Sequence, residues 1–229
     1  MLFFSAEIPE GNWKLNEEES RHIKVLRLRD GDEIQVTDGK GHLATCVLIK
    51  VDKSCTIQTS HIELHASLAP KIHLYVAPTK NSDRMEWLVE KAVEIGVSSI
   101  TFLVCENSER THQKPDRLER VAVSAMKQSL QYHLPQMQYD IKFLSAWNDA
   151  PGFKLLAHCE EGEKIQLSTW EEEHHELSIF IGPEGDFSPS EIANAKSHRA
   201  LSLGQTRLRT ETAGLKALIA AHEYIERHF

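Results

Sequence analysis

The sequence has few of the features that mark secreted or membrane proteins. Its 229 residues include only four cysteines, none in a Cys-x-x-Cys pair, so a disulfide framework is not expected. No apolar run approaches the ~18 residues that a membrane-spanning helix needs. The N-terminus lacks the basic start of a signal peptide. We therefore expect a cytoplasmic protein whose thiols are reduced and mostly buried.

Common phosphate and metal motifs are also missing. The sequence has neither a Gly-x-Gly-x-x-Gly fingerprint nor a P-loop, which counts against an α/β nucleotide-binding enzyme. Its 13 histidines form no His-Glu-x-x-His pattern and have no zinc-like spacing with cysteine. The adjacent pair His174 and His175 lies in an acidic stretch, where solvated side chains are the expected interpretation. We predict no metal site.

The net charge of −8 argues, taken as an average, against a nucleic-acid partner, because phosphate binding needs Lys and Arg. The charge is unevenly distributed, however, since residues 160–176 contain seven acids and one lysine. Residues 196–216 contain five basic residues and one acid. Residues 21–29 contain no acid and four basic residues, namely Arg21, Lys24, Arg27 and Arg29. This last cluster suits phosphate contacts, although a solvated helix face is a common alternative for so short a run. We expect the acidic segment to lie away from any RNA-binding face.

The pattern of strands and helices predicts two domains. Residues 1–68 contain short strand-like runs, and an Asp-Gly turn at residues 38–41 indicates a hairpin, so we predict a small β-barrel. Residues 66–70 resemble a linker. From residue 71 to 229, strands alternate with amphipathic helices, which predicts an α/β domain with a mainly parallel sheet.

Two loops in the second domain connect an apolar strand to a helix, where open α/β sheets bind ligands. The first, residues 181–188, reads IGPEGDFS and contains two glycines that let a ligand approach the backbone. The alternative is an ordinary strand-to-helix turn, whose helix is capped by Ser188.

The second loop, residues 203–213, reads LGQTRLRTETA and has Arg207 and Arg209 beside a helix N-terminus, where the helix dipole disfavours cations. This placement suggests an anionic partner, or pairing with Glu211 or Glu184. A solvated loop capped by Thr210 is the alternative.

Together the loops are similar to those of the SPOUT methyltransferases, and within them to the ribosomal RNA small subunit methyltransferase E family. The similarity rests on GPEGDFSPSE, on LSLGQTRLRTETAGLKAL, on EWLVEKAVEIGVSSITFL and on HIKVLRLRDGDEIQVTDGKG, and it spans nearly the whole chain. The sequence differs from the family at Asp186, where a second glycine is usual, and at residues 205–207, which displaces an arginine by one position.

The resemblance implies a PUA-like RNA-binding barrel at 1–68 and a SPOUT α/β domain at 71–229 with a deep trefoil knot. It implies a homodimer that binds S-adenosylmethionine and methylates N3 of a uridine in the 16S ribosomal RNA of the 30S subunit. The implied cofactor-binding residues are Leu156, His158, Gly182, Pro183, Glu184, Gly185, Leu203, Gly204, Leu208, Arg209, Thr210, Thr212 and Ala213.

The chemistry of uridine methylation suggests further roles. Arg209 would stabilise negative charge on the uracil, and Glu211 or Glu184 would accept a proton, unless both carboxylates are structural. Arg207 joins the basic cluster at residues 21–29 as a candidate RNA contact. Two alternatives are a non-catalytic RNA-binding or ribosome-assembly factor with a degenerate cofactor site, and a SPOUT methyltransferase with another RNA target.

Overall fold

The computed structural model describes residues 1–66, 71–195 and 199–229. The chain divides into two compact units. The first contains residues 1–68 and 123–134, and the second contains residues 69–122 and 135–229. Most of the predicted linker, residues 67–70, lies outside the described residues, and so do residues 196–198 of the basic segment 196–216.

The first unit contains a five-stranded sheet in the order β1-β3-β4-β5-β2. The pair β1 and β3 is parallel, and the other pairs are antiparallel. The predicted Asp-Gly hairpin joins β3 to β4. The elements are β1 (Leu2–Phe4), β2 (Asn12–Lys14), α1 (Glu17–Val25), β3 (Glu33–Thr37), β4 (His42–Lys50) and β5 (Thr56–Leu64). The core includes the fully buried side chains of Phe3, Ile23, Val36 and Ile57.

The helix α1 is capped by Asn16, whose side chain accepts a hydrogen bond from the backbone N–H of Glu19 at 2.8 Å. The Glu19 carboxylate does not return this bond to Asn16. It accepts from the Phe4 N–H at 3.2 Å and from the Lys127 ammonium at 2.5 Å, so Glu19 links the helix to other parts of the first unit.

The second unit is a parallel six-stranded sheet in the order β11-β9-β10-β6-β7-β8, which confirms the predicted α/β class. Its strands are β6 (Lys71–Val76), β7 (Ser99–Val104), β8 (Gln136–Lys142), β9 (Phe153–Ala157), β10 (Glu176–Ile181) and β11 (Arg199–Ala200). The remaining helices of the chain are α2 (Ser82–Ile95), α3 (Pro115–Gln128), α4 (Phe143–Asp149), α5 (Pro189–Asn194) and α6 (Thr210–His228), with a 3-10 turn at Leu167–Thr169.

Local sequence signals account for most of these elements. The apolar face predicted for α2 is buried, and the helix ends at Gly96, whose φ of 98° suits a residue without a side chain. The helix α5 begins with a complete capping box between Ser188 and Glu191. The strands β2 and β8, the helix α4 and the 3-10 turn were not predicted from the sequence.

Three of the four cysteines are buried, and all four are free thiols, which confirms that expectation. In the part of the chain that the structure describes, no helix is both long and apolar enough to cross a membrane.

Candidate functional site

A cleft of about 690 Å³ lies at the carboxyl ends of β9, β10 and β11. Three segments form its walls: residues 157–164 after β9, residues 181–186 after β10, and residues 201–213 leading into α6. All of them belong to the second unit. Parallel sheets bind ligands at this end of their strands, and the volume lies in the range of small-molecule sites. The cleft is therefore the candidate ligand site of this unit.

The loop after β10 is closely fitted to its surroundings. A Cβ added at Gly182 would come within 3.1 Å of the Phe187 backbone nitrogen, so a side chain here would require Phe187 to shift. The N–H of Asp186 donates to the Pro183 carbonyl at 2.9 Å, which closes a tight turn. Asp186 adopts a left-handed φ of 64° and lies on the cleft wall.

The segment leading into α6 bonds directly to the loop after β10. The Thr210 hydroxyl donates to the Gly182 carbonyl at 3.1 Å, and the Arg207 guanidinium donates to the Glu184 carbonyl at 3.4 Å. Thr210 is not the helix cap that the sequence suggested: Arg209 is the N-cap, and its side chain makes no capping bond. The Thr210 hydroxyl joins two walls of the cleft instead.

The carboxylates near the cleft do not neutralise its arginines. Glu184 accepts a hydrogen bond from the backbone N–H of Lys80 at 3.3 Å. Glu211 is buried, with its Oε1 atom 3.6 Å from the Nε atom of Arg84 on α2. The predicted pairing of Arg207 or Arg209 with these carboxylates is therefore wrong within the described residues. The exposed Arg209 side chain has no ion-pair or hydrogen-bond partner in the part of the chain that the structure describes.

The loop after β9 contributes a thiol and an amine to the cleft. Cys159 is exposed, and its backbone N–H donates to the Asp186 carboxylate at 2.6 Å. Partial burial and the charge and hydrogen bond of that carboxylate raise the pKa of the Cys159 thiol. The Lys164 ammonium donates to the His158 carbonyl at 2.8 Å. Lys164 lies within the acidic segment, so part of that segment borders the cleft.

The RNA methyltransferase domain family matches residues 67–222, more than half of the chain. The chain belongs to this family. The RNA methyltransferase PUA domain family matches residues 15–59, within the first unit.

Relatives and solved structures match nearly the full length of this family member. Ribosomal RNA small subunit methyltransferase E of Aquifex aeolicus is 29% identical over 222 residues, which are 93% of this chain and 94% of the relative. A crystal structure described as a probable rRNA-methyltransferase from Porphyromonas gingivalis is 38% identical, covers 100% of this chain and 99% of its own, and has a TM-score of 0.93.

Ribosomal RNA small subunit methyltransferase E from Neisseria gonorrhoeae, solved bound to S-adenosyl methionine, is 27% identical with a TM-score of 0.85. The match covers 97% of this chain and 96% of that one. These comparisons confirm the family resemblance and the fold class.

Most of the residues that the resemblance assigned to the cofactor are brought together in this family member. Those lining the cleft are His158, Gly182, Pro183, Glu184, Leu203, Gly204, Leu208, Arg209, Thr210 and Ala213. Those outside its lining are Leu156, Gly185, Thr212 and the candidate base Glu211. The Leu156 side chain is fully buried in the core, and its carbonyl accepts a hydrogen bond from the Leu201 N–H at 2.9 Å.

Sequence reasoning missed several residues that line the cleft. Asp186 was noted only as a departure from the family, and Cys159 and Lys164 had no role. Their contribution depends on contacts between segments far apart in sequence, which no local pattern indicates. Ile181, Gln205 and Thr206 also line the cleft; they lie in the two predicted loops but had no individual role. Ala157, Leu201 and Ser202 line it from outside those loops.

The basic cluster of residues 21–29 lies in the first unit, at the end of α1 and in the turn that follows. Arg21, Lys24, Arg27 and Arg29 are all exposed. Their side chains form no ion pair with any acid among residues 1–66, 71–195 and 199–229, so the four charges remain available to a partner. Over the same described ranges, no group of His, Cys, Asp and Glu side chains is arranged to hold a metal ion.

Proposed function

We propose that this chain transfers a methyl group from S-adenosylmethionine to N3 of a uridine in 16S ribosomal RNA. The observation that carries the proposal is the cleft at the ends of β9 and β10 in a member of the RNA methyltransferase family. The names of the relatives support an action on small-subunit ribosomal RNA, and the Neisseria gonorrhoeae structure supports the cofactor. The choice of uridine N3 follows from the resemblance of the two loops.

The residues of the cleft fit such a cofactor. Leu203, Leu208 and Ala213 offer apolar surface, while Gly182 and Gly204 contribute backbone atoms to the lining of the cleft. Gly204 has a φ of 102°, a conformation in which a side chain would be strained. These residues and His158 would hold the cofactor. When bound, S-adenosylmethionine supplies a methyl group already activated by its sulfonium, so the protein must chiefly orient the reactants and manage one proton.

Arg209 is the residue best placed to stabilise the reacting uracil. Loss of the N3 proton leaves negative charge on the uracil oxygens O2 and O4. A guanidinium without a protein partner, lying on the cleft wall, can donate hydrogen bonds to that charge without first breaking an ion pair. The position at the N-terminus of α6 adds the positive end of the helix dipole.

The proton acceptor is better assigned to Glu184 than to Glu211. Glu184 is exposed on the cleft wall, and it would accept the N3 proton directly or through a water molecule. Glu211 is buried against Arg84 and lies outside the lining. We therefore assign Glu211 to holding the start of α6 in place.

The first unit would supply contacts to the RNA backbone. Arg21, Lys24, Arg27 and Arg29 would contact phosphates, and Arg207 would add a contact at the cleft. The proposal includes a cytoplasmic homodimer acting on the 30S subunit, with the knotted topology that the family resemblance implies.

A methylation assay with cleft variants tests this function. The purified chain is incubated with methyl-labelled S-adenosylmethionine and 30S subunits that lack the modification, and the digested RNA is analysed for N3-methyluridine. We expect Arg209→Ala to lower the methylation rate about 100-fold, the cost of removing one donor to a developing oxyanion. Arg120→Ala is the control, since this exposed arginine on α3 donates to the Asp116 carbonyl and lies outside the cleft lining.

The alternatives have their own results. Label found only on ribose 2′-hydroxyls, or on another RNA, would indicate a methyltransferase with a different target. No binding of S-adenosylmethionine by calorimetry, with RNA affinity intact, would indicate a non-catalytic RNA-binding or assembly factor.

A further inference from the structure

Asp186 connects two walls of the cleft through its carboxylate. One oxygen accepts a hydrogen bond from the backbone N–H of Cys159 at 2.6 Å, and the other accepts from the N–H of Phe187 at 2.8 Å. Cys159 belongs to the loop after β9, and Phe187 belongs to the loop after β10. Hydrogen bonds from amides to a charged carboxylate are among the stronger ones in proteins. We call this arrangement the Asp186 bridge.

The backbone of Gly185 and Asp186 is also hydrogen-bonded by a third loop. The side-chain amide of Asn107, which follows β7, donates to the carbonyls of Gly185 and Asp186 at 3.2 and 3.1 Å. Asp186 itself has a left-handed φ of 64°, which costs energy for any residue with a side chain but least for Asn and Asp. A strained aspartate whose two oxygens bond to the amide of Cys159 on the cleft wall and to the amide of the buried Phe187 indicates that the carboxylate has a specific task.

We propose that Asp186 is a positioning residue that preorganises the cofactor cleft by fixing the loop after β9 against the loop after β10. The inference rests on the proposed function, because it takes S-adenosylmethionine as the ligand. A ligand that contacts both His158 and Gly182 must order both loops, and the entropic cost of this ordering is smaller when the bridge already fixes the distance between them. The bridge therefore acts on cofactor affinity, while the reacting groups remain elsewhere in the cleft.

The bridge also affects the Cys159 thiol. Partial burial, followed by the charge and hydrogen bond of the carboxylate, raises the pKa of this thiol and so disfavours the thiolate further. A thiolate on this wall would be a nucleophile exposed to a methylating sulfonium. Because Cys46, Cys55 and Cys105 are buried, alkylation of Cys159 can be followed as a reporter of the bridge.

Two substitutions separate the bridge from the backbone conformation. Asp186→Gly removes both hydrogen bonds and relieves the strain of the positive φ. Asp186→Asn keeps the size of the side chain and its tolerance of positive φ, but its NH2 group cannot accept from a backbone amide. If the bridge matters, Asp186→Gly should bind S-adenosylmethionine about tenfold more weakly by calorimetry, and Asp186→Asn, which keeps one acceptor oxygen, should show a smaller loss in the same direction. In the methylation assay, KM for the cofactor should rise while kcat changes little.

Asp140 provides a matched control for the same substitution. It also has a left-handed φ, of 57°, and its carboxylate also accepts two hydrogen bonds, from the Gln113 N–H at 3.3 Å and from the His112 ring at 2.8 Å. It lies on β8, at the sheet edge opposite β11. Asp140→Asn should leave the affinity for S-adenosylmethionine unchanged.

Hydrogen exchange and thiol alkylation make the test independent of the cofactor. In Asp186→Gly, which leaves no side-chain acceptor, the amides of Cys159 and Phe187 should exchange faster, and iodoacetamide should label Cys159 faster than in the wild type. Wild-type affinity in both Asp186 variants would overturn the proposal. If the wild type itself fails to bind S-adenosylmethionine, the proposed function is refuted, and unchanged exchange of the Cys159 amide in Asp186→Gly would then overturn the bridge separately.

Discussion

Arg27 occupies a backbone position that favours glycine, so Arg27→Gly should stabilise the first unit and weaken RNA binding at the same time. Its φ is 58°, its N–H donates to the Lys24 carbonyl at 3.0 Å, and the Leu28 N–H donates to the Ile23 carbonyl at 3.2 Å. These two bonds form the helix-ending motif in which glycine is the usual residue. Because an arginine occupies this strained position within an exposed basic cluster, we expect its charge to contribute to RNA binding.

The two effects of Arg27→Gly can be sized separately. The left-handed conformation costs a residue with a side chain about 1–2 kcal/mol, and glycine loses about 0.5–1 kcal/mol through the extra freedom of its unfolded state. The net gain of about 0–1.5 kcal/mol corresponds to a Tm rise of up to about 6 °C for a chain of this length. Removing one phosphate contact should weaken RNA binding about four- to sixfold at 0.15 M salt and reduce the salt slope by about 0.7–0.9.

Leu130 provides a control that has the same left-handed backbone conformation as Arg27 but no charge. It ends α3 in the first unit with a φ of 55°, and the same pair of hydrogen bonds forms there at 3.4 and 3.0 Å. Leu130→Gly should raise Tm by a similar amount and leave binding to 30S subunits unchanged across a salt titration. If Arg27→Gly binds 30S subunits as well as Leu130→Gly does, Arg27 makes no phosphate contact. If Arg27→Gly lowers Tm, the reasoning from backbone strain is refuted.

Two further predictions concern buried charge in the second unit. Arg84→Ala leaves the buried Glu211 carboxylate without its cation, so the free energy of unfolding in urea should fall by about 1–2 kcal/mol. Adding Glu211→Gln should restore it. An unchanged free energy of unfolding in Arg84→Ala would contradict the assigned pairing. Burial lowers the pKa of His222 below its usual 6.5, so the folded state binds this proton less readily than the unfolded state does. The corresponding stability is present above pH 6.5 and is lost as the pH falls through the lowered pKa. Unfolding measured over this range should be less acid-sensitive in His222→Gln, and identical pH profiles would refute the role of His222.

Elements with strong local signals were predictable from the sequence. The helix α2 has a regular apolar face and a glycine at its end, and the helix α5 has a complete capping box at Ser188. In the strand β8 the apolar and aromatic residues Met137, Tyr139 and Ile141 alternate with polar ones, a pattern typical of a strand. The helix α4 has seven residues, too few for its periodicity to be distinguished from that of a short loop.

Features that depend on non-local contacts were not predictable. An amphipathic pattern shows that α3 has a buried face, but it does not show that residues from 123 onward pack within the first unit. The loops that line the cleft were located correctly in sequence, whereas the partners of Glu184, Glu211 and Thr210 were not. Asp186 and Cys159 are 27 residues apart, and only the folded sheet brings their loops together.

The most direct test of the central claim is a mass map of 16S ribosomal RNA from cells that lack the protein. We expect one N3-methyluridine to be absent, the intact protein to restore it, and the Arg209→Ala variant to fail to restore it. A map with every N3-methyluridine still present, or one restored equally well by Arg209→Ala, would contradict the claim that this cleft methylates a uridine of the small-subunit RNA.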